Sequence, residues 1–205
     1  FLETGLQHDD FRFRRSVWVR TGIGQGHHHY DTLDLQLHAH GLPMIADSGQ
    51  RKDDHYSDPH DTLSRVHGKV VVGDHNWMGY GWVRTLADTD GSRYLVAQAF
   101  PQADTRLYRR QVALLDVDEG KGSQRLTPAQ FGPELAAMPK DVITPNSYAF
   151  DVFRVSGGNN HTYCFRATAN DPQSKQPDIG VPGLKPVPAD GKSDDRMAAR
   201  AAWWL

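Results

Sequence analysis

The segment LDLQLHAH, residues 33–40, decides the fold, because apolar and polar side chains alternate along its length. Successive side chains of a β-strand point to opposite faces, so this alternation predicts a strand with one buried face. That face carries Leu33, Leu35, Leu37 and Ala39. The residues GLP at 41–43 predict a turn, and residues 44–46 a short returning strand. The segment therefore predicts a β-hairpin.

Strand-like stretches continue on both sides of this hairpin, and helix-like sequence is scarce. The further predicted strands are residues 11–20 (with a bulge), 70–73, 94–100, 107–115, 149–155 and 162–167. Turn-forming residues separate several of them: DGS at 90–92, DEG at 118–120 and GGNN at 157–160. Helix-like stretches are residues 128–138 and the Ala-rich end from residue 194. The sequence predicts an all-β protein, an antiparallel, supersandwich-like β-sandwich with one short helix and an irregular C-terminal tail.

Length and composition agree with a single folded domain. The chain has 205 residues and 38% hydrophobic residues, enough to bury a sizeable core. We expect the sandwich to span residues 1–170 and an irregular extension or linker to span residues 171–205, which hold many Pro, Gly, Asp and Lys. The chain begins at Phe1 rather than Met, and we interpret it as a piece of a longer protein.

The charge and cysteine content exclude several classes. The net charge is -2 and the pI is about 6.6, so no strong field attracts nucleic acid or anionic lipid. No apolar run approaches membrane-spanning length. We therefore expect neither a nucleic acid nor a membrane as partner. The single cysteine, Cys164, rules out an internal disulfide framework.

Eleven histidines stand out, and the run GQGHHHYD at residues 24–31 carries three of them in a row. If this run is extended, His27, His29 and Asp31 share one face. Imidazole nitrogens bind zinc and similar ions, and a carboxylate completes such a shell or orients a histidine from outside it. The run alone fits a metal site or a catalytic site about as well as a solvated surface.

Two later residues extend this pattern. Asp47 ends the returning strand of the predicted hairpin, so it can lie near His29. His67 comes just before the Val-rich strand. Taken alone, Asp47 also fits a turn carboxylate, and His67 also fits a buried core histidine.

In their order along the chain, these segments resemble the heparinase II/III-like family of polysaccharide lyases. The matching segments are HHHYD at 27–31, the strand at 33–37, Gly41, DSG at 47–49, RVH at 65–67, VVVGD at 70–74, ALLDV at 113–117, DVFRVSGG at 151–158 and HTY at 161–163. The resemblance runs from about residue 10 to residue 167. It departs from the family at Gly68-Lys69, where Asn-Thr is usual, and at His28, where a small residue is common.

The resemblance implies metal ligands at His29, Asp47 and His67, with zinc or another divalent metal as cofactor. It implies a catalytic role for His27. Asp31 is the candidate for orienting this site from the second shell. Separately, the planar guanidinium of Arg65 suits a substrate carboxylate, although a surface salt bridge fits this residue equally well.

The resemblance also implies a partner domain and an activity. Such enzymes join an N-terminal α/α toroid to a β-sandwich, and the toroid supplies a catalytic tyrosine. This chain corresponds to the sandwich alone, so we expect the isolated chain to be inactive. The implied reaction is β-elimination on an acidic polysaccharide or oligosaccharide that contains uronic acid, in the periplasm or outside the cell.

Two other functions fit the sequence. GQGHHH resembles the first motif of the cupins, a class of metal-dependent β-barrel enzymes, but the glutamate expected a few residues later is missing. The other is a non-catalytic carbohydrate-binding sandwich with a structural metal, which an exposed aromatic platform would favour. The candidate platform residues are Trp77, Tyr80, Trp82, Trp203 and Trp204.

Overall fold

The computed structural model describes residues 1–5, 14–22, 28–39, 42–45, 47, 62–73, 75–101, 104–117 and 146–165. The chain divides into two units, Phe1–Ala167 and Thr168–Leu205, and all of the described residues belong to the first. The predicted helix at 128–138 and the predicted extension at 171–205 lie outside the described residues. Within the described ranges, no helix is long and apolar enough to cross a bilayer.

The described part of the chain is built from antiparallel strands and one 3-10 turn, Ser64–Val66, which confirms the all-β prediction. The strands are β1 Leu2–Thr4, β2 Arg15–Val19, β3 Leu35–Ala39, β4 Leu42–Ile45, β5 Val70–Val72, β6 Gly81–Thr89, β7 Ser92–Ala99, β8 Thr105–Val117, β9 Asn146–Gly157 and β10 His161–Tyr163. They form three sheets with the orders β1-β2-β3-β4, β10-β5 and β6-β7-β8-β9.

One apolar core joins the three sheets. Its buried members are Leu2, Val17, Leu33, Leu35, Val70, Val72, Leu95, Ala97, Ala99, Tyr108, Val112 and Leu114. The rings of Trp77 and Phe153 pack against Tyr108 with centroid distances of 4.7 and 4.8 Å. The burial of the apolar faces of the sheets against one another supplies the main favourable free energy of folding in a sandwich.

The hairpin forms as predicted, with different bounds. β3 begins at Leu35, because Leu33 has a φ of 60° in a turn where Asp34 N–H donates to the carbonyl of Asp31 (2.8 Å). Leu33 is still wholly buried, but from that turn. Residues 42 and 43, predicted as turn, belong to β4. Pro43 is tolerated there because β4 is the edge of its sheet, where fewer N–H donors are needed.

Strand β6, Gly81–Thr89, is absent from the sequence prediction. Most of its side chains are exposed, so it lacks the apolar alternation by which a half-buried strand is recognised. The predicted turn that follows it is present. Gly91 has a φ of 76° there, which a glycine adopts without strain.

Candidate metal centre

Two histidine and two aspartate side chains, carried by three separate segments, come together at one place in the first unit. His29 and Asp31 lie between β2 and β3, Asp47 lies just beyond β4, and His67 follows the 3-10 turn. One potential ligand atom from each lies within 4.8 Å of those of the others. We call these four residues the His–Asp cluster. It assembles because the β3–β4 hairpin returns Asp47 beside the segment that precedes β3.

Three members of the cluster form a tight triangle. His29 Nδ1 lies 3.2 Å from His67 Nε2 and 3.2 Å from Asp47 Oδ1. His67 Nε2 lies 3.5 Å from Asp47 Oδ2. A tetrahedral zinc site with bonds of about 2.0–2.1 Å has ligand-to-ligand edges of about 3.3–3.4 Å. The triangle therefore has the dimensions of one face of such a site.

A backbone hydrogen bond fixes the orientation of His67. Its Nδ1 lies 2.7 Å from the carbonyl oxygen of Leu63, which only accepts, so this nitrogen carries the proton. Its Nε2 then turns a lone pair toward His29 and Asp47. Metal-binding histidines are typically held by this kind of contact at their second ring nitrogen. His67 is also 0% exposed, so its ring has little freedom to turn away.

Asp31 lies at the side of this triangle. Its carboxylate is buried and pairs with Arg20 (Nε to Oδ2, 3.5 Å), whose side chain is half exposed. A carboxylate already engaged by a guanidinium suits a residue that orients a ligand from outside the first shell. Asp31 also lies close enough to be a direct ligand.

The donor set fits a divalent metal of intermediate softness. Two imidazole nitrogens and a carboxylate are the ligand types of zinc sites with three protein ligands, which leave a fourth position for water. The cluster can therefore hold a metal ion, and its chemistry does not single out one metal.

Buried polar contacts hold the segments that carry the cluster. Ser64 Oγ donates to the carbonyl of Tyr30 (3.0 Å) and accepts from the N–H of Trp77 (3.0 Å). The wholly buried Asp34 accepts the N–H of Gly68 at Oδ1 (2.6 Å). These bonds join the segment before β3 to the segment that carries His67.

Lys69 adds a buried cation beside the cluster. Its Nζ donates to the carbonyls of Tyr30 (3.0 Å) and Trp77 (3.2 Å) and lies 5.5 Å from the centre of a Trp77 ring. Burial lowers the pKa of Lys69 to about 8, and the charges of Asp31 and Asp34 partly oppose that shift. Buried lysines need such partners because an unpaired buried charge is costly.

Arg110 on β8 reaches both loops of the site from the core. Its Nη1 donates to the carbonyl of Leu33 (2.6 Å) and to the carbonyl of Gly68. Its Nε and Nη2 hold Asp151 through two bonds of 2.8 and 2.9 Å. Arg110 is 0% exposed, so this planar fork sits entirely within the protein. It ties the backbone after Asp31 to the backbone after His67.

Comparisons with known proteins give one structural match. No family model matches the chain, and no curated protein matches it. Among solved structures, the crystal structure of heparinase III matches with a TM-score of 0.41 and 11% sequence identity. The match covers 58% of this chain and spans about a quarter (24%) of the length of the heparinase III chain.

The structure places the other predicted site residues as follows. His27 lies outside the described residues, so its catalytic role stays a prediction. Arg65 is exposed in the 3-10 turn just before His67. Its positive charge acts electrostatically on the thiol of Cys164. Burial raises the pKa of the Cys164 thiol, while Lys69 and Arg65 act in the opposite direction.

Sequence reasoning missed the residues that support the cluster, namely Asp34, Ser64, Lys69 and Arg110. Asp34 stood on the polar side of the predicted alternation, but it is 0% exposed because the turn at Leu33 redirects the chain. The one available signal was Lys69, a charged residue between a glycine and the three apolar residues of β5.

Proposed function

We propose that this chain is the β-sandwich domain of a polysaccharide lyase that cleaves a uronic-acid-containing polysaccharide by β-elimination. The observation that carries the proposal is the convergence of His29, Asp47 and His67. These are the residues to which the family resemblance assigns metal ligands, and they meet within 3.5 Å although they are far apart in sequence. An α/α toroid domain beyond this chain completes the active site in this proposal.

The chemistry sets what the residues must do. In β-elimination a base removes the proton at C5 of the uronate, beside its carboxylate, and the C4–O bond then breaks with formation of a C4–C5 double bond. Since that proton is weakly acidic, the site must neutralise the carboxylate as negative charge develops on it. The leaving oxygen must also gain a proton.

The chain's own residues divide these tasks in our proposal. His27 neutralises the carboxylate or transfers a proton, beside a tyrosine of the toroid. Arg65 binds a substrate carboxylate through its planar guanidinium.

His29, Asp47 and His67 would hold zinc or another divalent metal, with Asp31 orienting a ligand residue without binding the ion itself. When bound, such an ion supplies a fixed positive charge that cross-links the three segments. The role that we propose for it is structural: it holds the loops that shape the substrate site. We propose the periplasm or the cell exterior as the place of action.

Elemental analysis of the purified chain tests the metal site. We expect near-stoichiometric zinc in the parent and little in an H29A/H67A double variant. Asp47→Asn tests the same site without removing a buried ring. His75→Ala is the matched control, since His75 is exposed and lies outside the cluster. Absence of metal from the parent after refolding with added zinc would overturn the site.

Ultraviolet absorbance tests the reaction. The chain is joined to a toroid domain and given a panel of polyuronates and sulfated glycosaminoglycans. β-Elimination leaves a double bond conjugated with the carboxylate, and this product absorbs, whereas a hydrolysis product does not. We expect absorbance to rise with the parent and not with a His27→Ala variant. Release of reducing ends without absorbance would identify a hydrolase and contradict the proposal.

A further inference from the structure

The sheet β6-β7-β8-β9 carries a row of aromatic, amide and guanidinium side chains on its outer face. Trp82, Gln98, Arg109 and Arg154 stand directly opposite one another across the four strands. Residues opposed in this way point to the same face of an antiparallel sheet. Ala97 and Ala99, which flank Gln98 on β7, are 0% exposed in the core. The row from Trp82 to Arg154 therefore faces away from the core.

Two further aromatic rings lie beside Trp82, those of Tyr80 just before β6 and Phe100 just after β7. Tyr80 is 49% exposed and Phe100 is 59% exposed. Tyr80 stacks on Trp82 with a centroid distance of 6.3 Å and an interplanar angle of 21°, and Phe100 lies 5.0 Å from Trp82. Adjacent rings with this exposure form an apolar surface patch, and such patches often mark an interaction site.

Three arginines accompany this row: Arg84 on β6, Arg109 on β8 and Arg154 on β9. Arg84 Nη1 (3.2 Å) and Arg109 Nη2 (2.8 Å) both donate to the same oxygen, Oε1 of Gln98. Arg109 also stands directly opposite Arg154. Among the described residues, no carboxylate forms an ion pair with these three arginines. Like charges placed opposite one another destabilise a sheet, and a bound anion would offset this repulsion.

We infer that this aromatic–arginine face binds an acidic oligosaccharide. It consists of Tyr80, Trp82, Phe100, Arg84, Arg109 and Arg154. The apolar C–H face of a sugar ring packs on the aromatic rings, while carboxylate or sulfate groups accept from the guanidiniums. The choice of a sugar rather than another polyanion rests on the proposed function. It also agrees with the net charge of -2, since non-specific binding to nucleic acid depends on an excess of positive charge.

This face would be a second binding site, because it shares no residue with the His–Asp cluster. A polymer chain held there stays on the protein between cleavage events. The arrangement predicts that the chain binds acidic polysaccharide with no metal bound and without the toroid. Binding and cleavage can therefore be measured separately.

Isothermal titration of the purified chain at low ionic strength tests this inference. The probes are polygalacturonate (carboxylates only), dextran sulfate (sulfates only), neutral dextran and a single-stranded oligonucleotide. We expect binding to at least one of the acidic sugars, none to dextran, and weaker binding to the oligonucleotide. The comparison between the first two probes identifies which anion the arginines prefer.

Three variants locate the site. Trp82→Ala and Arg84→Gln should each weaken binding about five- to tenfold, the size of effect expected for the net loss of one solvent-accessible hydrogen bond or a comparable ring contact. Arg14→Gln is the control, since it removes the same charge from an arginine that pairs with Glu3 elsewhere. Melting curves check that each variant folds, and Arg84, being exposed, is the less disruptive change.

Each outcome decides one question. Equal weakening by Arg84→Gln and Arg14→Gln would mean non-specific charge attraction and would overturn the inference, as would tighter binding to the oligonucleotide than to both acidic sugars. Unchanged binding in the presence of a chelator is expected. If the elemental analysis finds no metal but Trp82→Ala and Arg84→Gln still weaken sugar binding, the proposed metal site fails and this binding face stands.

Discussion

At the scale of single residues, the two aspartates of the cluster differ in their surroundings. Asp47 contacts both histidines, whereas Asp31 is paired with Arg20. This difference predicts different effects on metal binding. We expect Asp31→Asn to weaken zinc binding about 10–100-fold, as for residues outside the first shell, and Asp47→Asn to weaken it by more than about 100-fold. Competition with a chromophoric chelator measures both affinities.

The two substitutions remove the same charge, so each serves as the control of the other. Equal losses would mean that Asp31 is a direct ligand, and a larger loss in Asp31→Asn would contradict the assignment of Asp47. Neither change alters side-chain size, which separates charge from packing.

The sequence allowed the cluster to be predicted, but not its supports. His29, Asp47 and His67 were found because their residue types and order resemble a known pattern. Arg110 was not found because two of its partners are the backbone carbonyls of Leu33 and Gly68. Any residue supplies such a carbonyl, so no side-chain pattern reveals that contact before the chain is folded.

At the scale of elements, Arg110 links strands β8 and β9 to the loops of the site. A lysine at this position keeps the positive charge, but it lacks the planar set of N–H donors with which Arg110 binds Asp151 and the two carbonyls. We expect Arg110→Lys to lower the free energy of unfolding by about 2–6 kcal/mol, at about 1–3 kcal/mol for each of the two buried carbonyls that lose their donor. Chemical denaturation of the metal-free chain measures this change.

The control for that variant is Arg109→Lys, one residue away on the opposite face of β8. Its guanidinium bonds only to Gln98 among the described residues, so we expect a loss of about 1 kcal/mol at most. Similar losses in the two variants would show that the buried fork has no special importance.

Strand β10 provides a test by pH. Tyr163 donates to Asp151 (2.8 Å) and accepts from Arg110 (3.0 Å). Burial, and then the charge of Asp151, raises the pKa of Tyr163 from 10.0 to about 12. A raised pKa means that the folded state favours the protonated phenol. Its contribution to stability is therefore complete below pH 10 and is lost as the pH rises through about 12.

Tyr163→Phe removes this dependence. We expect the difference in unfolding free energy between parent and variant to be constant below pH 10 and to shrink toward pH 12. Denaturation at a series of pH values measures the difference, and other tyrosines cancel because both proteins contain them. A constant difference across this range would contradict the raised pKa.

The strands also show which elements an apolar sequence pattern predicts and which it does not. β7 and β8 were predicted because buried residues such as Leu95 and Val112 mark one face of each. β6 was missed because its pairing with β7 is made by backbone groups, while most of its side chains remain exposed. A strand whose side chains face solvent along most of its length carries little apolar pattern, although its backbone pairs with β7 along its whole length.

At the scale of the whole molecule, the proposed metal binding is thermodynamically coupled to folding. His29, Asp47 and His67 lie in three separate segments that only the folded sandwich brings together. The unfolded chain does not hold these residues together, so zinc bound at the proposed site would favour the folded state and stabilise it. With free zinc at about 100 times its dissociation constant, this stabilisation is about 2.7 kcal/mol.

That free energy predicts a measurable shift in melting temperature. For a domain of this size, about 2–4 °C corresponds to 1 kcal/mol, so zinc should raise the melting temperature by roughly 5–10 °C. A chelator should reverse the shift. Asp47→Asn should melt at the same temperature with and without zinc, because it has lost a ligand while its core is unchanged. An equal zinc-dependent shift in that variant would mean that the metal binds elsewhere, and the stabilisation by zinc would then not arise at the His–Asp cluster.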